Sequence, residues 1–134
     1  MKTLVKDLMT YPLVTIPVDS DILYARELME RKGINALAVV EIAEEVTVLG
    51  MITSTDLRKV SDEQAMVADH MSRNIEKVSK RQTALSAAHR MLNEGVHHLV
   101  VVDEEKPIGM LSSIDFVRML TNEKGYFRSR VMFV

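Results

Sequence analysis

Two segments of the chain place a hydroxyl and a carboxylate three residues apart, behind a glycine. They are Gly50-Met51-Ile52-Thr53-Ser54-Thr55-Asp56 and Gly109-Met110-Leu111-Ser112-Ser113-Ile114-Asp115. Each passes from a strand-like run into a helix-like one. Glycine lets a ligand or another strand come close to the backbone. The hydroxyl then lies near a helix start, where unpaired N–H groups and the helix dipole favour an anion such as phosphate. An Asp in the first helical turn can accept hydrogen bonds from two vicinal hydroxyls, the pair that a ribose offers. Thr53 with Asp56, and Ser112 with Asp115, also have the spacing of a helix capping box, with Asp in place of Glu or Gln. Residue types and spacing leave both readings open.

Other chemistry finds less to stand on. His97 and His98 are adjacent; within a strand they would point to opposite faces, so they form no simple two-ligand metal site and at most one faces a cleft. His70 and His89 read as surface or helix-face residues. There is no His-x-x-x-His spacing and no Gly-x-Ser-x-Gly elbow, so no catalytic or metal-ligating set is assigned and an enzyme is not expected. With no cysteine, disulfides, thiolate zinc sites and a cysteine nucleophile are excluded, a composition that suits a reducing cytoplasm. Seventeen Lys and Arg against nineteen Asp and Glu leave a net charge of -2, so there is little counterion-release drive toward nucleic acid. Six aromatics and no Trp make a base-stacking platform hard to build. The apolar runs fall short of the roughly 20 residues that cross a bilayer, so neither a membrane span nor a signal peptide is expected. The ten Met read as adaptable core and interface filler.

The elements that must position the two segments come in duplicate. Val5-Lys6-Asp7-Leu8-Met9 returns 62 residues later as Val67-Ala68-Asp69-His70-Met71, and Gly33-Ile34 returns as Gly95-Val96 at the same spacing. The Gly-to-Asp segments are 59 apart. Repeat 1 therefore carries three extra residues, placed within Ala43-Glu44-Glu45 between two strands. Residues 1–62 are read as repeat 1, 63–121 as repeat 2, and 122–134 as an apolar tail expected to cover a sheet edge, a subunit contact or a helix groove. In repeat 1, Val14-Thr15-Ile16 reads as a strand and Ser20 as the N-cap of a helix that Gly33 ends. Strands follow at Leu37–Val40 and Val46–Ile52, and a second helix starts near Ser54. Repeat 2 has the same order: Glu76–Val78, a helix from Thr83 through Leu92, strands at Leu99–Val102 and Ile108–Leu111, and a helix from about Ser113. Asp62-Glu63-Gln64 reads as the polar start of a helix leading into repeat 2. The class is α/β (α+β), with two β-α-β-β-α repeats packed about a pseudo-twofold axis, because one such unit has too small a sheet to close a core alone.

The lead-in segments, the Gly33 and Gly95 turns into apolar strands, Val100-Val101-Val102-Asp103 and both Gly-x-x-Thr/Ser-x-x-Asp segments together resemble the cystathionine β-synthase (CBS) domain family, whose paired repeats form a Bateman module. The resemblance extends to about Leu120. It implies a stand-alone regulatory module that binds an adenosine-containing ligand, AMP, ADP, ATP or S-adenosylmethionine, in clefts between the repeats and signals occupancy to a protein partner. No obligatory cofactor is implied. Asp115 with Ser112 would face Thr15, Ile16 and Ile34-Asn35-Ala36; Asp56 with Thr53 would face Val78 and Val96-His97-His98. The Asp would hold the ribose, the hydroxyls would help with phosphate, and the apolar strand residues and their backbone would enclose adenine. Lys77 stands where repeat 1 has Thr15 and could meet a phosphate, and His98 stands where members often carry a basic residue. Members commonly associate further, so a homodimer is expected. The alternative is a ligand-free dimerisation or protein-interaction scaffold.

Overall fold

The computed structural model describes residues 2–121; the apolar tail lies outside the described residues. The elements run α1 (Val5–Leu8), β1 (Thr15–Pro17), α2 (Ile22–Lys32), β2 (Ala36–Ile42), β3 (Val46–Thr53), α3 (Ser54–Arg58), a 3-10 turn at Val67–Asp69, β4 (Lys77–Ser79), α4 (Ala84–Glu94), β5 (His98–Asp103), β6 (Lys106–Ser112) and α5 (Ser113–Leu120). They form two three-stranded sheets, β1-β2-β3 and β4-β5-β6. In each sheet the first pair is parallel across a helix and the second is an antiparallel hairpin. Thr15 pairs with Ala38 and Lys77 with Val100, so the 62-residue repeat is a repeat of register.

The chain divides into two compact units that exchange their lead-in segments. One unit gathers the residues up to Pro12 with those from Glu76 onward; the other runs from Leu13 to Ile75. In the first, Val5 N–H donates to the Gln82 carbonyl at 2.8 Å and Thr10 pairs with Met110. In the second, Met51 and Ser72 exchange backbone hydrogen bonds of 2.9 and 2.8 Å. Each unit has its own core. Ile16, Ile22, Leu37, Val39, Ile52 and Val67 anchor one, and Val5, Leu8, Val78, Leu99, Val101 and Leu111 the other.

Local chemistry explains the boundaries. Gly33 and Gly95 end α2 and α4 at φ 66. A Cβ at either would touch nothing, so glycine is there for the left-handed backbone. Two readings of the sequence are corrected. Asp21, not Ser20, caps α2, accepting from Tyr24 N–H at 2.9 Å; Ser20 instead offers its carbonyl to Val67. The run Asp62-Glu63-Gln64 starts no helix. Its Glu63 carbonyl, and that of Ala65, accept the N–H groups of Leu23 and Ile22. Those are otherwise unpaired donors of the first turn of α2, while the Asp62 carboxylate folds back to Gln64 N–H. The three extra residues of repeat 1 are not confined to the turn: β2, the turn over 43–45 and β3 are each one residue longer than β5, the turn over 104–105 and β6. The corresponding β5–β6 hairpin turns on two residues, Glu104 and Glu105, at φ 50 and 69.

Candidate functional site

Both Gly-to-Asp segments run from the end of a sheet strand into a helix. Ala36 pairs with Thr53, and His98 with Ser112, at the equivalent register. Ser54 N–H donates to the Asn35 carbonyl and Ser113 N–H to the His97 carbonyl, each at 2.9 Å. Within its own repeat, each hydroxyl–carboxylate pair therefore lies beside the loop that leads into the middle strand. Asn35 and Ala36 accompany Thr53 and Asp56; His97 and His98 accompany Ser112 and Asp115. The two composite assignments drawn from the resemblance each combine residues of both units.

The glycines serve a strand. A Cβ at Gly50 would lie 2.6 Å from the Met71 sulfur and 2.6 Å from the Ser72 carbonyl oxygen; at Gly109 it would lie 2.7 Å from the Thr10 carbonyl oxygen and 3.0 Å from the Met9 sulfur. Both stand where the hairpin register shifts, so the bulge and the glycine together let the lead-in segment pair with the sheet.

The hydroxyl–carboxylate spacing forms a capping box in both copies, with one difference. Asp56 Oδ2 accepts from Thr53 N–H at 2.9 Å and from Thr53 Oγ1 at 3.0 Å, while Asp56 N–H donates to that hydroxyl at 3.3 Å. Asp115 Oδ2 accepts from Ser112 N–H at 2.8 Å and from Ser112 Oγ at 3.3 Å. Asp56 is half-buried, whereas Asp115 is 3% exposed. Its Oδ1 is buried and has no hydrogen-bond donor among the described residues. The nearest cation is Arg118 Nη1 at 3.8 Å, too far for a hydrogen bond. Arg118 was missed in reading the sequence; the i, i+3 spacing from Asp115 was the available signal.

The remaining named residues separate by exposure. Ile16 and Val78 are core residues, so they can offer a ligand little beyond backbone groups. Thr15, Ile34, Val96 and His98 are half-buried, Asn35, His97 and Lys77 are exposed, and Ala36 is buried. His70 and His89 are exposed. Away from these segments, Asp103 pairs with Lys80 at 3.0 Å and Arg81 at 3.3 Å. The Lys80 hydrogen bond, with the charges of Lys80 and Arg81, holds its carboxyl below the usual carboxylate range against a smaller opposing effect of desolvation. Among the described residues no group of His, Asp and Glu could hold a metal ion, and no helix is long and apolar enough to cross a membrane.

Two β-α-β-β-α repeats, each with a hydroxyl–carboxylate cap at the junction of its last strand and last helix, define a tandem α/β pair. The family model of the CBS domain matches residues 5–63 and 67–122, and the chain belongs to the CBS domain family. Among solved structures, the CBS domain pair of protein MJ0100, in complex with 5-methylthioadenosine and S-adenosyl-L-methionine, is 25% identical with a TM-score of 0.81, covering 92% of this chain and 99% of that one. A CBS-domain containing protein from Agrobacterium tumefaciens is 27% identical with a TM-score of 0.77, over 88% of this chain and 93% of that one. Among curated proteins, the L-aspartate semialdehyde sulfurtransferase of Methanocaldococcus jannaschii is 27% identical over 91% of this chain and 24% of its own length. The uncharacterized protein MJ1225 of the same organism is 24% identical over 89% of this chain and 43% of its own length. The chain thus spans less than half the length of these curated relatives.

Proposed function

We propose that this CBS pair is a regulatory, non-catalytic module that binds an adenosine-containing ligand and passes its occupancy to a protein partner or to a second copy. The observation that carries the reading is Asp115 Oδ1. A buried carboxylate oxygen without a donor costs on the order of 1–3 kcal/mol, and more when charged. Oδ2 is already engaged by the helix cap, so the second oxygen is available for a ligand hydroxyl such as that of a ribose. The similarity to a pair that holds 5-methylthioadenosine and S-adenosyl-L-methionine supports an adenosine-type ligand. AMP, ADP and ATP belong to the same proposal, with Lys77 and His98 as the groups that would meet phosphate. Ser112 and Thr53 would assist it, and Thr15, Ile16, Ile34-Asn35-Ala36, Val78 and Val96-His97 would enclose adenine through side chain and backbone in clefts to which both repeats contribute. The Asp115 site is the stronger of the two, because its carboxylate is the more buried and its Oδ1 has no hydrogen-bond donor among the described residues.

The test is calorimetric titration with AMP, ADP, ATP, S-adenosylmethionine and 5-methylthioadenosine, beside 2′-deoxyadenosine nucleotides and GTP. Binding of ribose-bearing adenine compounds, weakened at least tenfold in the 2′-deoxy series, is expected. Heat with none of them would leave the ligand-free scaffold as the better account, a reading favoured by the exposed Leu85, Leu92 and Leu120 on α4 and α5.

A further inference from the structure

Asp115 and Arg118 stand three residues apart on α5, the spacing that makes helix neighbours. The carboxylate is 3% exposed and the Arg118 side chain 39% exposed, with Nη1 3.8 Å from Asp115 Oδ1. An ion pair built to hold the helix would close to a hydrogen bond of about 2.8 Å and engage the guanidinium fork two bonds at a time. This pair does neither, and among the described residues it is the only polar contact of the guanidinium. Repeat 1 is built otherwise. Lys59 stands at the same offset from Asp56, and the guanidinium beside it, that of Arg58, donates to Thr55 Oγ1 at 3.1 Å. A guanidinium held close to the carboxylate without bonding to it is therefore particular to the Asp115 copy.

We propose that Arg118 makes the Asp115 site selective for adenosine compounds that carry an anionic group on the 5′ side of the ribose, a phosphate above all. The inference rests on the reading of Asp115 as the ribose-binding group. A hydroxyl that donates to Oδ1 stands about 2.7 Å from it. Nη1 lies 3.8 Å from the same oxygen, so hydroxyl and guanidinium are at most about 6.5 Å apart. The 5′ substituent of that sugar then falls within the sweep of the long, partly exposed Arg118 side chain. Charge favours the same outcome. Residues 95–102 and 109–120 meet at this cap, and among them Asp115 is the only acid, whereas His97, His98 and Arg118 can carry positive charge. Once a ribose hydroxyl satisfies Oδ1, the guanidinium fork is left to an anion. It matches phosphate oxygens in pairs, and carboxylate oxygens likewise, so the carboxylate of S-adenosylmethionine is a second source of the same chemistry. Adenosine and 5-methylthioadenosine carry no anion.

The test is calorimetric titration of the protein, Arg118→Met and Arg118→Lys with AMP, adenosine, S-adenosylmethionine and 5-methylthioadenosine, counting the binding that Asp115→Asn removes. Within each chain the affinities are read as two ratios, AMP over adenosine and S-adenosylmethionine over 5-methylthioadenosine, so a general loss of affinity in a variant cancels. The expected result is an AMP preference of at least tenfold in the protein that falls to within twofold of unity in Arg118→Met, is partly kept by Arg118→Lys, and shrinks with added salt. A parallel fall in the second ratio identifies the carboxylate as held in the same way; a second ratio that does not move restricts Arg118 to phosphate. An AMP preference equal in the protein and Arg118→Met would overturn the proposal while leaving Asp115 as the ribose group. Failure of all four compounds to bind the protein would overturn the ribose reading itself, and this proposal with it.

Discussion

At Gly50 and Gly109 the neighbour of a hypothetical Cβ is a backbone carbonyl at 2.6 or 2.7 Å, and a backbone carbonyl cannot swing aside. Gly50→Ala and Gly109→Ala should each cost about 1–3 kcal/mol or more, the range for forcing extra atoms into a packed site. Urea unfolding that moved by less than 0.5 kcal/mol, the scatter of ordinary surface changes, would contradict this. The sequence left these glycines open between a ligand and a strand, and the geometry assigns them to the strand. It likewise left the Thr/Ser-x-x-Asp spacing open between a cap and a ligand site. The cap is present twice, yet only tertiary burial distinguishes the two carboxylates, and no local pattern reports burial. Asp103 supplies a pH test. Its folded carboxyl is held low by Lys80 and Arg81, so its stabilisation is present above the unfolded value, about 3.9, and is lost as pH falls through the lower folded value. The stability gap between the protein and Asp103→Asn should be small and salt-sensitive, since the pair is partly exposed, and should close on acidification below about pH 4. A gap that widened there would contradict the assignment.

Element types were legible because apolar runs, glycine stops and hydroxyl caps agree with one another. The order of strands and helices expected for each repeat is the order found, with ends moved by a residue or two. The failures came where backbone donors were satisfied from a distance. Asp62-Glu63-Gln64 resembles a helix start, but the carbonyls of Glu63 and of the following Ala65 serve α2, an arrangement that sequence periodicity cannot display. Exchange of Val5–Met9 and Val67–Met71 between units was illegible for a related reason: the two segments are alike, so neither names the sheet that receives it. The β5–β6 turn carries its own prediction. Glu104 and Glu105 both sit at positive φ, the type I′ geometry that suits Asn-Gly, at a cost of roughly 1–2 kcal/mol per left-handed residue. Glu104→Asn with Glu105→Gly should raise the urea midpoint by an amount worth about 1 kcal/mol; a lowered midpoint would show that the glutamates make contacts that outweigh the strain.

For the molecule as a whole, neither repeat holds all the residues of one compact unit. Val5 and Leu8 are fully buried in the core built around Val78, Leu99 and Leu111, and burying two such side chains is worth roughly 3–6 kcal/mol. A domain is stable by only about 5–15 kcal/mol, so deleting residues 1–12 should leave the unit containing 76–121 largely unfolded. Hydrogen exchange over β5 and β6 at the rate of a free chain is the expected readout, and native protection there would contradict the exchanged-segment description. The central claim, that the chain senses an adenosine compound through Asp115, is tested most directly by titrating the protein and Asp115→Asn with S-adenosylmethionine and AMP. Asp115→Asn keeps the shape of the cap while removing the carboxylate charge. Binding to the protein, weakened at least tenfold in Asp115→Asn while Asp56→Asn has a lesser effect, is the predicted result; equal affinity in the protein and Asp115→Asn would contradict it.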